Sequence, residues 1–162
     1  MWLVNLPKLV ISWDVWNLQC AHFRKLHSVC LAECDAMVEI TWLLLVPNLQ
    51  SLYIVNCGGL EEIISSSEEF GVAYDENTFS KLKTLALLDL PNLQSICSMN
   101  ALPFQSLETI HVRRCPKLRR LPLDSNSAKN TLKKTQGDEE WWDGLEWENE
   151  TIKARFIQMY EC

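Results

Sequence analysis

The sequence predicts an α/β-type solenoid with an open, curved parallel sheet on its concave face and irregular or short helical returns outside. The first observation behind this fold class is an 18-residue frame that recurs four times, beginning at Phe23, Val46, Phe79 and Phe104. The second is an apolar pattern that fills positions four, seven, nine, twelve, fifteen and eighteen of every copy. Since one copy cannot bury its apolar face alone, successive copies are expected to stack on each other.

The six apolar positions are anchors that face the shared core. Positions seven and nine are two residues apart, which is the spacing of side chains on one face of a strand. Position four is leucine in every copy, and position twelve is cysteine or leucine. In chain order the anchors are Leu26, Val29, Leu31, Cys34, Met37 and Ile40; Leu49, Leu52, Ile54, Cys57, Leu60 and Ile63; Leu82, Leu85, Leu87, Leu90, Leu93 and Ile96; and Leu107, Ile110, Val112, Cys115, Leu118 and Leu121. The pattern L-x-x-L-x-L-x-x-(C/L) is that of leucine-rich repeats.

The frame divides the chain into three parts. The array covers residues 1–123, with a partial first repeat at 1–12 and repeats starting near residues 23, 46, 79 and 104. Residues 124–137, where the pattern lapses, are interpreted as a linker. Residues 138–162 form an acidic tail in which Trp141, Trp142 and Trp147 are expected to cap the last repeat. No cap precedes the first repeat, so the sequence is interpreted as the end of a larger protein or a truncated gene product.

Composition excludes several classes of function. The net charge of −6 argues against a nucleic-acid binder, because phosphate binding needs clustered Lys and Arg. No segment reaches the ~20 apolar residues of a membrane span, and no secretory signal is visible. The number of cysteines, 7, is odd. Without a secretory signal, this favours reduced thiols and a cytoplasmic location.

Alternation along each strand predicts where a partner binds. Because positions seven and nine face the core, positions eight, ten and eleven line the concave sheet. Aromatic and arginine side chains lie there, and both are enriched at protein-binding hot spots. The predicted protein-binding residues are Trp2, Glu33, Tyr53, Asn56, Asp89, His111, Arg113 and Arg114. This surface begins aromatic and apolar, and it ends basic in the last repeat.

No catalytic constellation is visible in the sequence. Cys20, His22, His27, Cys30 and Cys34 are residue types that suit zinc. However, Cys34 is a core anchor, whereas Cys30 faces the opposite side of the same strand. No phosphate-cradling loop and no nucleophile-elbow pattern occur. We therefore expect no enzyme activity, no metal and no cofactor.

Several stretches together resemble one family. They are residues 46–52 (VPNLQSL), 57–64 (CGGLEEII), 90–93 (LPNL), 115–122 (CPKLRRLP) and the tail motif 140–147 (EWWDGLEW). They closely resemble the C-terminal end of plant intracellular nucleotide-binding leucine-rich-repeat disease resistance receptors of the coiled-coil class. The resemblance covers nearly the whole chain.

This resemblance implies a non-catalytic protein-recognition module. Its partner would be a pathogen effector or an effector-modified host protein. The module would also hold the receptor inactive until that partner binds. In that family an ATP/ADP-binding switch domain lies upstream, and this sequence contains no phosphate-binding loop of its own. The alternative function is a free-standing adaptor or scaffold unrelated to defence.

Overall fold

The computed structural model describes residues 1–4, 23–65, 78–97, 102, 104–123, 127–148 and 150–161. Within these ranges the main element is a seven-stranded sheet in which all pairings are parallel. Two further strands, at Glu62–Ile64 and Ser95–Cys97, form a separate parallel pair. The strands are β1 (Trp2–Val4), β2 (Ser28–Ala32), β3 (Ser51–Val55), β4 (Glu62–Ile64), β5 (Thr84–Leu88), β6 (Ser95–Cys97), β7 (Thr109–Arg113), β8 (Lys134–Gly137) and β9 (Tyr160–Glu161). The order in the main sheet is β1-β2-β3-β5-β7-β8-β9.

Helices are short in the described part of the chain. One is a 3₁₀ helix at Thr41–Leu45, and the others are α1 (Glu139–Asp143) and α2 (Glu150–Ile157). The return segments of neighbouring repeats also pair, since Glu62 bridges Glu39 in parallel and faces Ser95 in the β4–β6 pair. The fold is therefore mostly parallel strands with few helices, which is compatible with a leucine-rich-repeat fold.

The strand register follows the 18-residue frame. Position seven faces position seven in the next strand, so Leu52 stands opposite Val29 on one side and Leu85 on the other. The turn before each strand also repeats. In all four copies the amide of position four donates to the carbonyl of position one, at 3.0 to 3.2 Å, as between Leu82 and Phe79. Equal local geometry in each copy keeps the apolar anchors in line across the sheet.

The anchors form one continuous core. All of them are buried except Leu26 and Leu121, which are half-buried and pack against the core. The same cluster extends into the C-terminal tail through Trp141, Ile152 and Phe156. The core therefore continues past the last predicted repeat.

The sequence predicts a linker at residues 124–137, and this prediction is wrong for the end of that range. Lys134–Gly137 form β8, which pairs in parallel with β7. The amide of Lys133 donates to Glu108 O at 2.8 Å, as the amide of Glu108 donates to Lys83 O at 2.8 Å in the preceding repeat. The apolar pattern does not predict this strand, because Thr135 and Gly137 occupy positions seven and nine, where the other copies carry large apolar side chains.

The tail packs beside β8 through aromatic side chains. Trp141 and Phe156 are buried. Trp142 stacks on Tyr160 with ring centroids 4.1 Å apart, and Trp147 lies 5.7 Å from Phe156. Because Tyr160 belongs to β9, this cluster packs the last strand of the sheet against the rest of the tail. Residues 5–12 of the predicted partial repeat lie outside the described residues.

Candidate protein-binding surface

The eight predicted binding residues lie in rows that cross the strands of the main sheet. One row consists of position-eight residues, in which Trp2, Cys30, Tyr53, Ala86 and His111 stand side by side. Trp2 is 79% exposed and Tyr53 is 37% exposed. The smaller Cys30 and Ala86 are buried, because strands lie only ~4.8 Å apart and their neighbours in the row are larger. The row therefore presents two aromatic side chains to a partner. We call the eight predicted residues the sheet strip.

Position eleven turns the chain at the end of each strand. The strip residues Glu33, Asn56, Asp89 and Arg114 all have left-handed backbone, with φ of 57°, 52°, 56° and 53°. This conformation is uncommon for residues other than glycine. The first three keep their amides in the ladder; that of Asn56, for example, donates to Leu88 O at 2.9 Å. The left-handed residue thus ends the strand without losing a ladder hydrogen bond.

The basic end of the strip is held by carboxylates of the same chain. The guanidinium of Arg114 pairs with Asp89, with Nη2 2.6 Å from Oδ2, and this hydrogen bond raises the pKa of Arg114. Asp138 accepts the backbone amide of Arg114 at 2.5 Å and lies 3.4 Å from Arg113 Nε. Beyond the strip, Arg120 pairs with Glu146 at 2.5 Å. The basic character that the sequence predicted for this end is therefore partly neutralised.

Asp138, which the sequence assigns to the acidic tail, contacts two residues of the strip. In the earlier repeats the amide at position eleven donates to a backbone carbonyl of the next strand. For Arg114 the acceptor is the side-chain carboxylate of Asp138 instead. Its position directly after β8 is the signal that would have found it, but that strand is not visible in the apolar pattern.

His111 lies between the apolar and basic ends of the strip. It is half-buried, and this burial, together with the positive charge of Arg113, lowers the pKa of His111. The imidazole is therefore neutral at pH 7. It offers a partner a hydrogen-bond donor and acceptor but no charge.

The frame cysteines are packing residues. The thiols of Cys34, Cys57 and Cys115 donate to strand carbonyls two residues back, at 3.3 to 3.5 Å. Burial raises the pKa of Cys57 and that of Cys115 to about 11. A thiol with such a pKa is protonated at neutral pH and is a poor nucleophile.

Two of the five residues of the zinc hypothesis, Cys20 and His22, lie outside the described residues. Of the remaining three, Cys34 is buried in the core, while His27 is exposed before β2. In the ranges that the structure describes, no three His, Cys, Asp or Glu side chains are placed to hold a metal ion. No helix in those ranges has the length and apolar character needed to cross a bilayer.

Comparison with known proteins gives the family. The family model for plant disease resistance protein RPS2-like leucine-rich repeats matches residues 12–134. A probable disease resistance protein of Arabidopsis thaliana is 42% identical over 139 residues, covering 83% of this chain. The disease resistance proteins RPS5 and SUMM2 of the same plant are 39% and 37% identical, over 83% and 85% of this chain.

The chain spans 15% of the length of each of these three relatives. No solved structure matches it significantly. The family model covers well over half of the sequence, including the strands of the main sheet from β2 to β7. The chain therefore belongs to the RPS2-like leucine-rich-repeat family of plant disease resistance proteins.

Proposed function

We propose that this chain is the protein-recognition module of a plant disease resistance receptor and that it binds its partner through the sheet strip. The partner is a pathogen effector or a host protein that an effector has modified. In this proposal the array is an open solenoid, the strip lies on its concave side, and the receptor is cytoplasmic. The names of the relatives support a defence receptor over a free-standing adaptor.

The exposed aromatic pair on the strip is the observation that carries this proposal. Trp2 is 79% exposed although the opposite face of the sheet is a continuous core. Tyr53 lies two strands away in the same row. Tryptophan and tyrosine dominate the energetics of protein interfaces when they become fully desolvated. An ordered sheet that holds both in water is preorganised to bury them against another protein.

The function is binding without catalysis or a cofactor. The buried thiols of Cys57 and Cys115, whose pKa is raised to about 11, are protonated at neutral pH and are poor nucleophiles. In a longer receptor, the module would also help to hold the inactive state. A partner then activates the receptor only to the extent that it binds the active state more tightly than the inactive one.

The test is a partner screen followed by strip variants. Effector and host proteins are screened against the full chain in a two-component binding assay. The partners found are then retested with Trp2→Ala and Tyr53→Ala. Loss of a buried aromatic hot spot costs about 2 kcal/mol or more, so we expect at least about a thirtyfold weaker complex.

A matched control is Val38→Ala. Val38 is 56% exposed and lies outside the strip, in the return after β2. We expect it to bind as the unmodified chain does. Equal affinity of the Trp2 and Tyr53 variants and the unmodified chain for every partner would show that the strip is not the binding surface.

A further inference from the structure

The residues just before each strand lie side by side along the border of the main sheet at which its strands begin. Four backbone hydrogen bonds, each of 2.8 Å, join successive repeats there. They run from Gln50 to His27, from Lys83 to Gln50, from Glu108 to Lys83 and from Lys133 to Glu108. These segments therefore lie side by side, one strand spacing apart. We call residues 24–27, 47–50, 80–83, 105–108 and 129–133 the strand-start edge.

The strand-start edge is strongly basic although the chain as a whole has a net charge of −6. It contains one carboxylate, Glu108, which lies between Lys83 at 3.8 Å and Lys133. The hydrogen bond from Lys133 and the charges of both lysines lower the pKa of Glu108, so it stays ionised and offsets only one cation. Its six cationic residues, all exposed, are Arg24, Lys25, Lys81, Lys83, Lys129 and Lys133.

The opposite edge, where the strands end, has the reverse sign. In residues 33–36, 56–59, 89–92, 114–117 and 138–140 the only cations are Arg114 and Lys117. The acids there are Glu33, Asp35, Asp89, Asp138, Glu139 and Glu140. All strands of a parallel sheet start at the same edge, so the cations that precede β2, β5 and β8 lie on one side of the sheet. The charge of the sheet therefore changes from positive, where the strands begin, to negative, where they end.

We propose that the strand-start edge is a second protein-binding surface, separate from the sheet strip, and that it docks an acidic segment of a partner protein. The cations lie on alternate segments of the edge, 24–27, 80–83 and 129–133, roughly 9.6 Å apart at twice the strand spacing, which suits a segment with several carboxylates. Lys81 is held in place, since its Nζ donates to Asn48 Oδ1 at 2.6 Å and Asn48 Nδ2 donates to Arg24 O at 2.6 Å. These bonds link three successive repeats of the edge.

A protein partner fits this edge better than a nucleic acid does. Proteins that bind single strands add aromatic side chains on which bases stack. In the described segments of the strand-start edge no Phe, Tyr or Trp side chain is exposed, and arginine occurs once, at Arg24. Lysine ammonium groups attract carboxylates and phosphates alike as point charges, so the lack of stacking side chains is what favours a protein partner.

The first experiment measures binding of a fluorescein-labelled peptide of alternating Glu and Gly residues to the full chain by fluorescence anisotropy. We expect binding at low ionic strength that weakens steeply as salt rises to about 0.15 M, where the screening length falls to about 8 Å. The variant Arg24→Glu/Lys25→Glu/Lys81→Glu should bind at least about tenfold more weakly. No binding at low salt, or unchanged binding by this variant, would overturn the proposal.

The matched control compares Lys81→Glu with Lys117→Glu. Lys117 lies on the opposite edge in the same local setting, with its Nζ 2.7 Å from Asn92 Oδ1 and Asn92 Nδ2 2.8 Å from Gly58 O. Both substitutions change the net charge equally. A larger loss for Lys81→Glu supports the edge as the site, whereas equal losses would reduce the effect to net charge. Tighter binding of a single-stranded oligonucleotide or of anionic vesicles than of the peptide, at equal ionic strength, would overturn the choice of an acidic protein.

Discussion

Position seven of the frame carries an apolar side chain in every predicted copy and a threonine in β8. Thr135 is completely buried, and its hydroxyl has no hydrogen-bond partner within the described residues. It stands opposite Ile110 in the preceding strand. A buried hydroxyl without a partner costs about 1–3 kcal/mol. This one atom therefore lowers the free energy of unfolding of the whole chain.

The first prediction follows from that hydroxyl. Thr135→Val replaces it with a methyl group of similar size and restores the apolar pattern, so we expect the free energy of unfolding to rise by about 1 kcal/mol. Urea denaturation followed by tryptophan fluorescence measures the change. Thr109→Val, at a half-buried position in β7, is the control and should change stability much less. A decrease for Thr135→Val would mean that the hydroxyl is satisfied by water.

The second prediction concerns pH and the frame cysteines. Burial holds the pKa of Cys57 and that of Cys115 at about 11, above the roughly 8.5 of an unfolded chain. Because the folded state binds these protons more tightly, their contribution to stability is complete below pH ~8.5 and is lost as pH rises towards 11. Urea midpoints measured between pH 8 and pH 11 should therefore fall less steeply for Cys57→Ala/Cys115→Ala than for the unmodified chain. Parallel curves would mean that other groups account for the pH dependence.

At the scale of elements, β8 shows how a strand forms without apolar residues at positions seven and nine. Gly137 has no side chain, and the ring of Trp141 fills the space beside it. A Cβ placed on Gly137 would lie 2.9 Å from Val112 O and closer still to the Trp141 ring. The indole thus takes the place of the apolar side chain that earlier repeats supply from their own strand.

This arrangement gives the third prediction, for Gly137→Ala. The added methyl group clashes with backbone and with a buried ring, so we expect a loss of about 1–3 kcal/mol in the free energy of unfolding and a shifted tryptophan emission. The control is Gly58→Ala, where the nearest atom to an added Cβ is a side-chain oxygen, Asp35 Oδ1, at 3.1 Å. Similar stability changes in the two variants would contradict the proposed packing of Trp141.

Elements were predictable from the sequence only where their side chains repeat. The anchors of the four copies are spaced by backbone geometry alone, so the strands from β2 to β7 in the main sheet, and their register, follow from the frame. The copy that contains β8 is not recognisable in the sequence. Its position nine is Gly137, and the space beside that residue is filled by the ring of Trp141, four residues further along the chain. The strip residues could be placed by alternation, but the pairing of Arg114 with Asp138 could not, since it joins the array to a segment that carries no repeat signal.

At the scale of the whole molecule, the tail and the array share one core. Phe156 is completely buried, and its cluster includes anchors of the four repeats that start at residues 23, 46, 79 and 104. Charges join the same two parts, through Arg113 to Asp138 and Arg120 to Glu146. Because exposed ion pairs contribute about 0–1 kcal/mol each, the apolar contacts dominate this attachment. In a repeat protein, such nearest-neighbour contacts pass stability along the array.

The last prediction tests this coupling with Phe156→Ala. Removing a buried phenylalanine costs about 3–5 kcal/mol. If tail and array unfold together, one cooperative transition should shift to lower urea. Two probes follow it, the fluorescence of the tail tryptophans and the alkylation of Cys57, which is buried in the second repeat of the frame. Tyr53→Ala, which removes an exposed ring, controls for aromatic loss at the surface and should leave both probes nearly unchanged. Early loss of the fluorescence signal with Cys57 still protected would show instead that the tail unfolds independently of the array.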